Sequence, residues 1–138
     1  MSEPTQSSSP PSLSDRPIHL GLGATAVVEP TFTGEMAWYQ GYSERHASDG
    51  SEGRLVAMHT FSEPWDMWEM HPNGSEVVLC TDGSIELIQE IDGNEVATTL
   101  AAGQYAINDP GVWHTANVAA TASVVFVTAG EETTHRPR

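Results

Sequence analysis

The 138-residue chain contains no lysine. Its five basic residues are all arginine and stand against nineteen acidic ones, for a formal charge of −14. A chain this acidic repels phosphate backbones and anionic lipid, which argues against nucleic-acid and membrane-surface partners. Cys80 is the single cysteine, so an intramolecular disulfide and a cysteine-ligated zinc module are both excluded. No apolar run approaches the roughly 18–20 residues of a transmembrane helix. The N-terminus lacks the basic start and apolar stretch of a signal peptide, and the expected location is cytoplasmic. Glycine-rich phosphate loops, the dinucleotide fingerprint and a G-x-S-x-G nucleophile elbow are missing as well.

What is present is a folding chain of one domain. Hydrophobic residues make up 38% of it and charged residues 17%, outside the range of a generically disordered composition. Residues 1–17 are rich in Ser and Pro and read as a disordered arm. Residues 18–130 carry the domain, and residues 131–138 read as a polar tail in which His135 is solvated.

Between these ends the pattern is β. Short runs of Val, Ile, Thr and aromatic residues are separated by turn residues. They predict strands at Thr25–Glu29, Met36–Tyr42, Arg54–Phe61, Trp65–His71, Glu76–Thr81, Ser84–Ile91, Glu95–Ala101, Tyr105–Asn108, Val112–Val118 and Ala122–Thr128. Asp82-Gly83 and Asp92-Gly93-Asn94 read as hairpin turns. Short strands at this spacing imply an all-β sandwich or barrel.

Chemistry concentrates in two stretches. In WDMWEMHPNGSEVVLCTDG, Glu69 and His71 are two apart on a strand and so share a face. Pro72-Asn73-Gly74 makes a turn, and Glu76 opens the returning strand. In GQYAINDPGVWHTAN, a turn at Asp109-Pro110-Gly111 precedes His114. Two carboxylates and two imidazoles form a mixed oxygen–nitrogen set suited to one divalent transition metal, namely Fe, Mn, Ni or Zn. The subset His71, Glu76 and His114 has the composition of a two-His-one-carboxylate triad with positions open to substrate.

These stretches resemble the two motifs of the cupin superfamily. The first, G-x5-H-x-H-x3-4-E-x6-G, is matched by His71, Glu76 and Gly83, with Glu63 in place of the first Gly and Glu69 in place of the first His. The second, G-x5-P-x-G-x2-H-x3-N, is matched by Gly103, Gly111 and His114, with Pro110 displaced by one and Asn117 one residue early. The resemblance implies a single-domain double-stranded β-helix, or jelly-roll barrel, with a metal inside and often a homodimer. Glu69 replaces a usual histidine and is either the fourth ligand or an acid–base group. The implied function is a metal-dependent enzyme acting on an oxygen-rich small molecule by dioxygenation, lyase or dehydratase chemistry, or isomerisation. The other reading is a non-catalytic binding or sensing module.

Further residues are weighed by strand parity. Trp65 and Met67 share the inward parity of Glu69 and form either a pocket wall or barrel filler. His59 faces inward with Ala57 and Phe61, as a satisfied core histidine or a pocket acid–base group. Cys80 points inward as a buried thiol, and Tyr105 is the most plausible phenolic proton donor. Trp68, Val77, Leu79 and Trp113 have outward parity, which suits core packing or a dimer face. His19 and His46 read as exposed.

Overall fold

The computed structural model describes residues 9–138. The first eight residues of the expected N-terminal arm lie outside it. The remainder of that segment is partly tied down: Arg16 Nε donates to the Glu29 carbonyl at 2.8 Å, and the Phe32 amide donates to the Asp15 carbonyl at 2.7 Å.

Two antiparallel sheets share one long strand. The elements are β1 (Ile18–Gly21), β2 (Thr25–Val28), helix α1 (Met36–Arg45), a short 3-10 turn (Ala47–Glu52), β3 (Arg54–Phe61), β4 (Met67–Met70), β5 (Glu76–Ile91), β6 (Asn94–Ala101), β7 (Tyr105–Asn108), β8 (His114–Asn117), β9 (Ala122–Thr128) and β10 (Thr134–Pro137). One sheet runs β2-β1-β3-β9-β5-β7, and the other runs β6-β5-β8-β4-β10. All pairings are antiparallel. The first half of β5 belongs to one sheet and the second half to the other.

β5 corrects the expected hairpin at Asp82-Gly83. The chain does not reverse there. It passes a bulge between Cys80 and Asp82 and continues as one sixteen-residue strand. A bulge adds a residue to one side of the ladder and increases local twist, and this lets a single strand turn from one sheet to the other. Gly83 sits at φ +70°, and a Cβ there would overlap the Thr121 carbonyl oxygen. The Asp-Gly pair that suggests a two-residue turn therefore supplies a corner instead.

The second correction is Met36–Tyr42, which is helix α1 rather than a strand. Its aromatics imitate a strand composition, yet Trp38, Tyr42 and His46 recur at a spacing of four. Trp38 and Tyr42 stack with ring centroids 5.8 Å apart, and Trp38 Nε1 donates to the Pro30 carbonyl at 3.2 Å. The third correction is the expected polar tail, whose residues 134–137 form β10 against β4.

The core lies between the sheets. Val78, Cys80, Ile85, Leu100, Ala116, Val124 and Phe126 form its buried cluster, with Phe61 and Trp65 packed against it. β5 alternates buried and half-buried side chains through Glu76–Cys80, so Glu76, Val78 and Cys80 face inward while Val77 and Leu79 face out. No helix of the described residues is long and apolar enough to cross a membrane.

The corner at Gly83 generates a stability prediction. Gly83→Ala combines a strained left-handed backbone with a clash against backbone, and it should cost about 3 kcal/mol or more. Urea unfolding of both proteins measures this. An unchanged midpoint would show that the corner does not require glycine.

Candidate metal centre

Four strand ends deliver four metal-competent side chains to one point. Glu69 lies on β4, His71 just beyond it, Glu76 at the start of β5 and His114 at the start of β8. One ligand atom from each lies within 4.8 Å of the others. Register explains the convergence. Glu69 pairs with His114 across β4 and β8, while Gln89 of β5 pairs with His114 from the other side. His71, Glu76 and His114 are buried, and Glu69 is the most open of the four, with its side chain 28% exposed.

Glu76 is the hub. Its Oε1 accepts from Asn108 Nδ2 at 3.0 Å and lies 3.2 Å from His114 Nε2. Its Oε2 accepts from the Thr128 hydroxyl at 2.7 Å and lies 3.1 Å from His71 Nε2. Asn108 is held in turn by Gln89 Nε2, which donates to Asn108 Oδ1 at 2.7 Å and to the Ile107 carbonyl at 3.0 Å. Gln89, Asn108 and Thr128 went unremarked in the sequence. Inward parity on β5, β7 and β9 is the signal that picks out these polar residues.

Both histidines present Nε2 to the site and anchor Nδ1 elsewhere. His71 Nδ1 lies 2.8 Å from the Thr133 hydroxyl, and His114 Nδ1 lies 3.3 Å from the Val112 carbonyl. His71 Nε2 is 2.8 Å from Glu69 Oε1. Proximity makes these ion pairs, yet neither Nε2 has an aligned hydrogen-bond partner. Among the described residues, the buried side-chain polar atoms without one are His71 Nε2, His114 Nε2 and Trp65 Nε1. Buried polar atoms are normally satisfied. Two imidazole nitrogens facing carboxylate oxygens across a small gap fit a divalent cation.

The electrostatics of the metal-free site follow from burial and pairing. Burial pushes the His71 imidazolium pKa down, but the adjacent Glu69 and Glu76 carboxylates overcome that and raise it to about 9. Burial pushes Glu76 up, but His114 and His71 outweigh it and hold the carboxyl far below its usual range. Glu69 is lowered in the same way, with burial opposed chiefly by His71.

Other expected site residues fall into three places. His59 and Trp65 lie inside the barrel. His59 packs between Phe32 and Phe126, with its pKa lowered by burial against the opposing charge of Glu69. Trp65 stands edge-on to His114 at 6.2 Å between centroids. Met67 is half-buried at the start of β4, and its carbonyl accepts from Thr115. Cys80 is fully buried in the core, its thiol against the Asp82 and Gly83 carbonyls. Tyr105 is not brought to the centre. It pairs with Leu79 on the outer face and is 65% exposed. Trp68 is buried, and Arg136 lies over both Trp68 and Trp113, so β10 of the same chain covers the two indoles.

Of three histidines expected in solvent, His135 stays exposed, while His19 and His46 are drawn into the fold. His135 on β10 faces Glu69 Oε2 at 3.4 Å. His19 is buried, with Nδ1 2.6 Å from the Tyr42 hydroxyl and Nε2 2.6 Å from Asp49. His46 stacks on His19 at 3.6 Å and pairs with buried Glu29, as does Arg45. His19, His46 and Asp49 are close enough to suggest a second metal group. However, the two rings are nearly parallel, so in-plane lone pairs cannot meet on one ion. This cluster is a hydrogen-bonded strut between α1 and β1.

The metal-free site should be pH-sensitive on both sides. A histidine raised from 6.5 to about 9 contributes stability that is complete below pH 6.5 and lost as pH rises through 9. Carboxyls lowered from 4.5 contribute stability that is complete above that value and lost on acidification. Metal-free protein should therefore melt highest between about pH 4.5 and 6.5 and fall by several degrees toward pH 9, as read by calorimetry in chelator. A melting temperature flat from pH 6.5 to 9 would contradict the pairing.

No protein-family model and no curated protein matches the sequence. Among solved structures, an oxalate oxidase superposes with TM-score 0.53 at 15% identity, over 66% of this chain and 50% of that one. A protein with a double-stranded β-helix domain from Klebsiella pneumoniae aligns at 23% identity and TM-score 0.49, over 61% of this chain and 73% of that one. A cupin-2 domain protein from Shewanella frigidimarina aligns at 16% identity and TM-score 0.44, over 62% and 71%. The chain thus spans half the length of the oxalate oxidase. With two antiparallel sheets joined through a corner-turning β5 and a His–Glu cluster between them, the chain has a small cupin-type fold, a double-stranded β-helix.

Proposed function

We propose that the chain is a metal-dependent enzyme acting on an oxygen-bearing small molecule. The observation that carries this reading is the pair of buried, unaligned Nε2 atoms of His71 and His114 facing the Glu76 carboxylate. His71, Glu76 and His114 would hold one divalent Fe, Mn, Ni or Zn ion, with Glu69 as fourth ligand or general base. Such an ion, when bound, polarises a carbonyl or activates water. Glu69 is the least buried member of the group and would be the one to exchange protons with solvent. The Trp65 indole, edge-on to His114, carries a buried N–H without a partner and would be a donor for a ligand oxygen. Dioxygenation, lyase or dehydratase chemistry, and isomerisation of an enolisable carbonyl compound, sugar acid or phenol all fit this donor set.

Elemental analysis of protein purified without chelator tests the centre. Near-stoichiometric divalent transition metal is expected in the wild type and little in Glu76→Gln or His71→Ala. Adding metal to stripped wild type should raise the melting temperature by several degrees. A wild type that takes up none of the four metals overturns the reading. Glu69→Gln then separates the two roles of Glu69. Metal loss marks a ligand, and retained metal with turnover reduced about a hundredfold or more marks an acid–base group.

We also propose a homodimer through the outer face of the β7-β5-β9 sheet. Val77, Leu79, Tyr105, Ile107, Val125 and Val127 lie there by register, and none is charged. On a chain of net charge −14, this is a face where two copies can meet without placing like charges in direct contact. Trp113, covered by Arg136, is not part of it. Sedimentation at micromolar concentration should show a dimer that Leu79→Glu dissociates. A monomeric wild type refutes it.

A further inference from the structure

The approach to β10 reaches the metal centre from behind. Thr133 lies just before β10, and its hydroxyl donates its only proton to the Gly130 carbonyl at 2.7 Å. The oxygen that remains faces His71 Nδ1 at 2.8 Å and can only accept there. In this arrangement Nδ1 carries the ring proton. Nε2 is then the nitrogen left to face Glu69 and Glu76, and on giving up its proton it offers the lone pair that a cation would use.

The segment is fastened on both sides of this contact. Asn73 Nδ2, in the turn after His71, donates to the Glu131 carbonyl and to Glu132 at 3.1 Å each. β10 pairs with β4 from Thr134 opposite Met70 to Pro137 opposite Met67. Arg136 is ion-paired to Glu90 while lying over two indole rings, and Arg138 donates to the Trp65 and Ala116 carbonyls at 3.0 Å. A hydroxyl held this firmly fixes ring orientation as well as tautomer.

Resting on the metal reading above, we propose that Thr133 is a positioning residue of the centre, holding His71 so that Nε2 is the liganding nitrogen. It touches neither metal nor substrate and acts only through His71.

The test uses the full chain and cobalt(II) as probe, with affinity read by competition and the site read by its visible absorption. Thr133→Val keeps the shape and removes the acceptor. It should weaken cobalt binding about tenfold or more and alter the absorption band, while the metal-free protein stays folded with its melting temperature lowered by a few degrees by the unpaired Nδ1–H. Thr133→Ser keeps the hydroxyl and should restore both affinity and spectrum. If wild type and Thr133→Val bind cobalt equally with the same spectrum, the positioning role is overturned and the metal centre stands. If Thr133→Ser fails as Thr133→Val does, the effect comes from lost packing, and the proposal is again overturned. If the wild type binds no cobalt, the metal reading falls and this proposal with it.

Discussion

The structure depends on how the buried carboxylate of Glu76 is accommodated. An unpaired carboxylate is too costly to bury, so it must be surrounded by donors and positive charge or be neutralised. Here Asn108 from β7, Thr128 from β9, His71 beyond β4 and His114 from β8 all address its two oxygens. These partners come from both sheets. Their registers must be correct together, because a one-residue slip in any strand would turn its contribution to the opposite face. The same polar knot that ties the sheets together is the candidate site.

Each partner is itself supported. Gln89 fixes the amide orientation of Asn108, so that its nitrogen faces Glu76. Thr133 and the Val112 carbonyl fix the outer edges of the two imidazoles. Among the described residues, the inner nitrogens of the two imidazoles, His71 Nε2 and His114 Nε2, are buried without an aligned partner and both face the Glu76 carboxylate. Buried polar atoms are normally paired, and these two address the same carboxylate. Their grouping is the physical ground for reading the cluster as a place for a ligand.

The opposite treatment is seen around α1. His19, Tyr42, His46, Asp49, Glu29 and Arg45 are more titratable groups than the four at the barrel centre, but their contacts close on one another. His19 has both ring nitrogens paired, and the stacked imidazoles cannot share an ion. The two clusters show that composition alone does not separate a site from a strut; the difference lies in where lone pairs point.

The β character was readable because alternation and turn residues report on a pleated, half-buried surface. β3, β7 and β9 match the predicted runs Arg54–Phe61, Tyr105–Asn108 and Ala122–Thr128. The grouping of Glu69, His71 and Glu76 was equally readable, since a period of two sets the face and a short turn sets the return, whereas His114, on a separate strand, was picked out by the turn and motif that precede it. Three features were not. Asp82-Gly83 has the local chemistry of a hairpin, and only the neighbouring Thr121 carbonyl and the pairing of β5 with strands of both sheets make it a corner. Met36–Tyr42 has strand-like aromatics, and it is a helix because Trp38 and Tyr42 bury one stripe against Pro30 and His19. Residues 134–137 carry little to bury, and they become a strand because β4 offers a free edge while Glu69, Glu90 and two indoles offer partners. By itself the sequence determined which residues alternate and which can ligate, because those properties are local. Tertiary structure alone decided that Tyr105 faces out, that His135 meets Glu69 and that Thr133 backs His71. Those contacts join residues distant along the chain, and no short-range preference encodes them.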